Sequence, residues 1–273
     1  MLLLSTILVL YIFIIRHWDW SNELLFVPSA FLQRTRRYQC PKLTHQPTVL
    51  LAALPAKEYQ LLLPKLEEVS LTNTKTIYES GDTIRHVYFP NSGTVSLLST
   101  VEERTQLEVG IIGNEGFIGL PVTLGVKTSS NRVLVQGAGV AMRMKTKDFL
   151  KECKNGGLLP RVLQRYTHSL LTQISHSASC NRFHSILARL SRWLLMNSDR
   201  MTSDDFRITQ KSLSDMLGVR REGISKSATK LQQKGLISYS RGKISILNRA
   251  GLKTVACKCY SIIKEEYAKL STK

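Results

Sequence analysis

Between Thr209 and Leu247 two helical apolar faces and an alternating hairpin follow one another, divided only by Gly218 and Gly235, and few folds accept that order. Leu213 is followed at three and four residues by Met216 and Leu217, the spacing of a short helix with one buried face. Gly218 stands where a helix C-terminus needs a residue with positive φ. Arg220, Arg221 and Glu222 then open a second helix, whose apolar face is Ile224, Ala228 and Leu231, and Gly235 closes it. Ile237, Tyr239, Ile244 and Ile246 alternate on either side of Ser240-Arg241-Gly242-Lys243, which predicts a two-stranded hairpin with a basic tip. Helix, turn, helix and hairpin make a winged helix-turn-helix, and its second helix has the width of a DNA major groove.

Charge agrees with this reading. The 273 residues carry a net charge of +18, and it is not evenly spread. Residues 160–273 hold 21 basic and 7 acidic groups, a surplus of +14, whereas residues 48–159 hold 12 and 11. Basic charge confined to the half with the helix-turn-helix points to a polyanion, nucleic acid first.

The segment 1–47 has another texture. Met1–Ile15 is almost wholly apolar, but shorter than the ~20 residues that span a bilayer as a helix. It has no basic residues before it and no small-residue cleavage site after it, which disfavours a secretory signal. A membrane anchor, a helix packed on the body and sequence upstream of the true start are the three readings, and the last is preferred. The segment is thus expected to be an N-terminal extension, disordered or outside the natural protein. From Val49 the chain reads as globular. Leucines and Tyr59 predict one or two short helices, interrupted at Pro55 and Pro64. Short β-rich runs then recur at intervals of about ten residues between turn signals, the pattern of a small sandwich or barrel. An eight-strand antiparallel jelly roll is predicted over residues 48–157.

Beyond it the period becomes helical. Leu159, Leu163, Tyr166, Leu170 and Ile174 form one apolar stripe, predicted as a dimerisation helix over 158–180. His168, His176 and His184 recur every eight residues, off a common face, so no metal site is expected from them. Five cysteines without recurrent spacing predict free thiols in a reducing compartment. Cys257 and Cys259 form a C-x-C pair, but no second pair stands at a ligand spacing from it, and buried or incidental thiols are expected. No cofactor is predicted.

Three features taken together resemble one family. They are the G-x-x-I-x-x-V-Y-F and N-x-G-x-V hairpin (Gly81 to Val95), G-N-E-G-F-I-G (Gly113 to Gly119), and a long helix followed by the winged helix-turn-helix. This order resembles the Crp/Fnr superfamily of bacterial transcription regulators over about residues 48–250. The resemblance implies an α+β chain with a double-stranded β-helix sensor and a winged helix-turn-helix at 181–250; beyond it a helical tail is expected at 251–273. It implies a cytoplasmic homodimer that binds a near-palindromic operator and works with RNA polymerase; a membrane partner is not expected.

By that resemblance Arg221, Glu222 and Lys226 match the R-E-x-x-x-R base-reading positions, with lysine in place of the last arginine. Arginine can pair with guanine and glutamate can accept from cytosine, while lysine lacks the bidentate fork. Thr209 matches a phosphate-contacting position. Lys211, Arg220, Lys230, Arg241 and Lys243 suit backbone phosphates, which position the protein without reading sequence. The sensor departs from the cyclic-nucleotide pattern. Leu120-Pro121 follows the F-I-G turn where a ribose-binding glutamate is expected, and Ser130 holds the arginine position, two residues before Arg132. Gly116, Gly119, Leu120 and Arg132 are the candidate effector pocket, of altered or lost specificity. The iron–sulfur cysteine cluster of other members is missing, since only Cys40 lies in the N-terminal region. The rival readings are a cyclic-nucleotide-responsive regulator with an unusual cassette and a membrane-anchored signalling protein. No phosphate loop, metalloprotease motif or nucleophile elbow indicates an enzyme.

Overall fold

The computed structural model describes residues 48–102, 105–201 and 204–271. The expectations for residues 1–47 fall outside these. The N-terminal half begins with helices α1 (Val49–Ala52) and α2 (Ala56–Leu62), the second entered directly after Pro55. Two antiparallel sheets follow. One has the order β1 (Glu67–Leu71), β7 (Gly139–Lys145), β3 (His86–Pro90), and the other β2 (Thr76–Tyr78), β6 (Arg132–Gly137), β4 (Thr94–Glu102), β5 (Thr105–Ile112). Alternation sets the inner faces: Val133 and Val135 of β6 are buried, as are Val87 and Phe89 of β3. The hairpin expected around residues 90–93 does not form: β3 and β4 lie in different sheets, and the link between them turns at Gly93, with φ 85°, where a Cβ would lie 2.6 Å from the Gly137 carbonyl oxygen. Helix α3 (Thr146–Lys154) closes this half, and its Phe149 joins Phe89 and Phe117 in a buried trio with ring centroids 5.0–6.4 Å apart.

The described residues place seven strands in these two sheets, not the eight expected. Residues 81–84 meet 127–129 through the isolated bridge Thr83–Thr128 and the hydrogen bonds beside it, and Ile118 makes a second isolated bridge with Tyr88 of β3. Gly119, at φ 111°, and Pro121 turn the backbone into a 3-10 helix at Leu120–Leu124, so no further ladder can form there.

Helix α4 spans Leu159–Phe183, three residues beyond the expected end at 180. Its apolar stripe is not an open seam. Leu159, Leu163, Tyr166 and Leu170 are buried within this chain and Ile174 is half-buried. The cover comes from β5 and from the C-terminal segment, which returns as α8 (Arg249–Val255) and α9 (Cys259–Ala268). Gln173 of α4 both accepts from Ile111 N–H (2.8 Å) and donates to its carbonyl (3.1 Å), and it donates to the Tyr267 hydroxyl at 2.7 Å. The expected tail is therefore an integral layer, and it occupies the face predicted for a partner subunit.

The other half is built on α5 (Ile186–Ser198), with β8 (Asp205–Arg207), α6 (Gln210–Leu217), α7 (Arg221–Gln233), β9 (Ile237–Ser240) and β10 (Lys243–Ile246), the sheet order being β8-β10-β9. Leu190, Trp193 and Leu194 of α5 are buried, and α7 packs across them. Among the described residues two polar side-chain contacts join the halves. Trp193 Nε1 donates to Glu108 Oε1 at 2.8 Å, and the half-buried Arg200 and Glu115 pair at 2.7 Å.

Candidate nucleic-acid interface

Helix α6 starts at Thr209, whose hydroxyl oxygen accepts from the Ser212 backbone N–H at 3.1 Å, satisfying one of the free donors of the first turn. Leu213, Met216 and Leu217 turn inward, and Gly218 ends the helix at φ 59°. Helix α7 follows after Arg220, whose backbone is extended. Ile224, Ala228 and Leu231 form its buried face. Arg221, Glu222, Lys226 and Lys230 are left exposed on the side away from the core. Gly223 permits the close crossing of α7 over α5: a Cβ there would stand 2.6 Å from Ile186 Cδ1. In the wing, Arg241 and Gly242 both have positive φ, 48° and 76°, as a type I′ hairpin turn requires. Tyr239 anchors the wing by donating to the Ile208 carbonyl at 3.0 Å. Burial pushes the Tyr239 hydroxyl above its usual range, and the nearby Arg221 charge opposes that shift.

Each predicted DNA-binding residue thus lies in the motif at an exposed position. Arg221 and Glu222 share the first turn of α7, where the glutamate also favours the positive end of the helix. Lys211 pairs with Asp215 at 2.5 Å and Lys243 with Asp205 at 2.8 Å. Both pairs are exposed, and such pairs contribute about 0–1 kcal/mol, so a phosphate can displace them. Thr209, Arg241 and Lys243 also line a cleft of about 590 Å³ shared with Asn73, Thr74, Leu134 and Gln136 of the β-half.

The candidate effector residues are not gathered in this way. Gly116 and Gly119 are buried at the turn, and added Cβ atoms would stand 2.4 Å from Ile112 Cγ2 and 2.9 Å from Val87 Cγ1, respectively. Leu120 opens the 3-10 helix. Arg132 instead starts β6, where its guanidinium donates to Thr76 Oγ1 (3.0 Å) and Gln106 Oε1 (3.4 Å) and pairs with Glu79 (3.3 Å). None of these partners comes from the 116–120 turn.

A further cluster escaped the spacing argument. Cys180, His184, Cys257 and Cys259 present donor atoms that all lie within 4.8 Å of one another. The cysteines are therefore not all scattered. Cys180 and His184, four residues apart at the end of α4, supply the second pair that the C-x-C motif lacked, and that i,i+4 step was the available signal.

Residues 188–255 match the family model of the Crp-like helix-turn-helix domain, and residues 68–155 that of the cyclic nucleotide-binding domain. The chain is similar to the global nitrogen regulator of Synechocystis sp., at 23% identity over 203 residues, covering 70% of this chain and 88% of that protein. Among solved structures it is similar to FixK2 from Bradyrhizobium japonicum, with a TM-score of 0.60 and 16% identity, across 70% of this chain and 98% of that one. It is similar also to the c-di-GMP-responsive global regulator CLP of Xanthomonas campestris, with a TM-score of 0.57 and 18% identity, across 70% of this chain and 99% of that one. At these identities the structural likeness shows the fold.

Proposed function

The chain belongs to the Crp/Fnr superfamily of DNA-binding transcription regulators, which are not enzymes, and from that membership we propose that it reads a near-palindromic operator as a homodimer. The observation that carries this reading is the first turn of α7. Arg221 and Glu222 project there from a helix whose opposite face is fixed by Ile224, Ala228 and Leu231. A rigidly held helix with an arginine and a carboxylate at its exposed start can offer a bidentate donor to guanine O6 and N7 and an acceptor to cytosine N4. Lys226, one turn on, donates to a third base edge, and Thr209, Lys211, Arg220, Lys230, Arg241 and Lys243 meet phosphates on either side.

The dimer seam follows a different line of α4 from the apolar stripe. Gln164, His168, Leu171, Ser175, Ala178 and Arg182 are exposed and succeed one another at steps of four and three, the spacing of a two-helix seam. Leu171 is 57% exposed, the largest apolar group on that line. Twofold pairing along it presents two copies of α7 to successive major grooves. The β-half is a cyclic-nucleotide-binding-type domain by family, and its ligand specificity is altered or lost. Leu120-Pro121 after the turn and the engagement of Arg132 with Thr76, Gln106 and Glu79 support this. A cyclic phosphate near the turn would lack a cation, and a buried unpaired anion costs several kcal/mol. RNA polymerase is the partner through which promoter activity changes, and the cytoplasm the compartment.

Selection of fragments from a random duplex pool by the purified chain tests the reading. The expected result is one motif repeated in inverted order, with half-sites about one helical turn apart. Unenriched fragments, or one unrepeated half-site, would overturn it.

A further inference from the structure

Four donor side chains converge where α4 hands over to α5. Cys180 lies in the last turn of α4, and His184, its C-terminal cap, follows one turn later, with its backbone N–H bonded to the Cys180 carbonyl at 3.1 Å. The other two arrive from the far end of the chain. Cys257 ends the link after α8 and Cys259 starts α9, so the C-x-C pair is carried back onto the α4 terminus. Cys180 Sγ lies 3.5 Å from Cys257 Sγ and 3.4 Å from His184 Nδ1, and His184 Nδ1 lies 3.9 Å from Cys259 Sγ.

These separations fit one chemistry. A tetrahedral zinc ion with Zn–S of ~2.3 Å and Zn–N of ~2.0 Å spaces its donor atoms ~3.5–3.8 Å apart. A disulfide would bring two sulfurs to about 2.05 Å. A polynuclear iron–sulfur cluster spreads its ligands over several irons, whereas four donors within 4.8 Å leave room for one ion. All three thiols are buried, Cys180 at 0%, Cys257 at 8% and Cys259 at 5% exposure, so solvent cannot serve as their common partner.

The surrounding charge is the second observation. Arg189 and Arg192 of α5 are both buried, and among the described residues neither forms an ion pair with a carboxylate. Their Nε atoms have no hydrogen-bond partner. The Arg192 charge acts on all three cysteines, and the cysteines Cys180 and Cys257 act in turn on Arg189. Glu108, which also feels Arg192, is itself pushed toward its neutral form by burial. A buried guanidinium without a counter-charge is strongly unfavourable. Three thiolates around a divalent cation carry one net negative charge, which offsets one of the two buried positive charges.

We propose that Cys180, His184, Cys257 and Cys259 bind a single tetrahedral zinc ion that fastens the α4–α5 junction to the C-terminal helices. Binding forms three Zn–S bonds and one Zn–N bond and releases the three thiol protons to solvent, with no change of oxidation state. The ion joins residues 180–184 to residues 257–259, the two places where the chain enters and leaves the DNA-binding half, and so sets the angle at which that half leaves α4. Zinc binding itself is independent of whether the chain reads an operator.

Metal analysis and cobalt substitution of the purified, reduced full-length chain test this. The expected result is about one zinc per chain, replaceable by Co²⁺ with tetrahedral ligand-field bands and thiolate-to-cobalt charge transfer. Cys257→Ser and Cys259→Ser should abolish the charge-transfer spectrum of the tetrahedral site, while Cys153→Ser, remote from the cluster, should leave it unchanged. A wild-type chain that takes up no more Zn²⁺ or Co²⁺ than Cys257→Ser would overturn the proposal. So would octahedral cobalt without charge transfer, or a Cys180–Cys257 disulfide in the protein as isolated. If the serine variants do not fold, the wild-type cobalt spectrum decides alone, because its charge-transfer intensity counts the thiolates bound.

Discussion

Arg221 and Arg132 each stand at the first residue of a regular element, α7 and β6, yet they meet different surroundings. Among the described residues Arg221 makes no hydrogen bond or ion pair, and it faces solvent from a helix start. Arg132 is held by Thr76, Gln106 and Glu79. An exposed cation on a rigid helix can exchange water for a base edge at little cost, whereas an arginine with three partners must break them first. The output half is thus prepared for a polyanion, and the input half has turned its nearest cation inward on itself.

The widest break in that comparison would be to separate the halves. Trp193, at 2% exposure, packs in the α5 core and donates to Glu108 of β5. Trp193→Ala should lower the unfolding free energy by about 3–5 kcal/mol, measured by urea denaturation with probes in both halves. A loss confined to one probe would mean that the halves unfold separately.

Glu108 sharpens the same junction through pH. Burial raises its carboxyl to about 7, against the hydrogen bonds from Ser96 and Trp193 that lower it. Because the folded value lies above the unfolded one, the unfolded chain loses its proton first as pH rises. Stability should therefore be full below about pH 4.5 and should fall, by about 3 kcal/mol, by about pH 7. Subtracting the profile of Glu108→Gln isolates this contribution, and identical profiles would show that Glu108 titrates normally.

Arg221→Ala tests the output side. It should weaken binding to a selected operator by about 1–3 kcal/mol while leaving affinity for random duplex nearly unchanged, read by fluorescence anisotropy at several salt concentrations. Equal losses on both duplexes would reduce Arg221 to a phosphate contact. On the input side, Arg132→Ala should cost no more than about 1 kcal/mol of stability, since its ion-pair partner Glu79 is exposed. Neither that variant nor the parent should show operator binding that saturates with added cyclic AMP. Lys211→Ala should have the smallest effect, with stability unchanged within about 0.5 kcal/mol and the salt slope reduced by about one.

Local spacing made the DNA-binding half legible. The Leu213–Leu217 step, the Gly218 cap and the alternation from Ile237 to Ile246 all act within one turn or one pleat, and each appears at its predicted place. The same reasoning misjudged α4. Its stripe from Leu159 to Ile174 was visible, but periodicity says only that a face is buried and not which surface buries it. The cover proved to be β5 on one side and α9, far along the chain, on the other. The expected eight strands were a count from turn spacing alone, and between β5 and β6 the chain instead forms a 3-10 helix behind Gly119.

By itself the sequence determined most of the elements, their order and the exposed charges of α7, because helical and pleated periods are written in neighbouring residues. Tertiary structure alone decided that Arg132 is spoken for and that the apolar stripe of α4 is filled from within. It alone also brought Cys180 and His184 against Cys257 and Cys259. Those outcomes depend on contacts between residues more than fifty positions apart, Thr76 with Arg132 and Cys180 with Cys257 among them, and no local period encodes such a meeting. It comes from burying separate apolar faces together, which carries along whatever polar atoms share those elements.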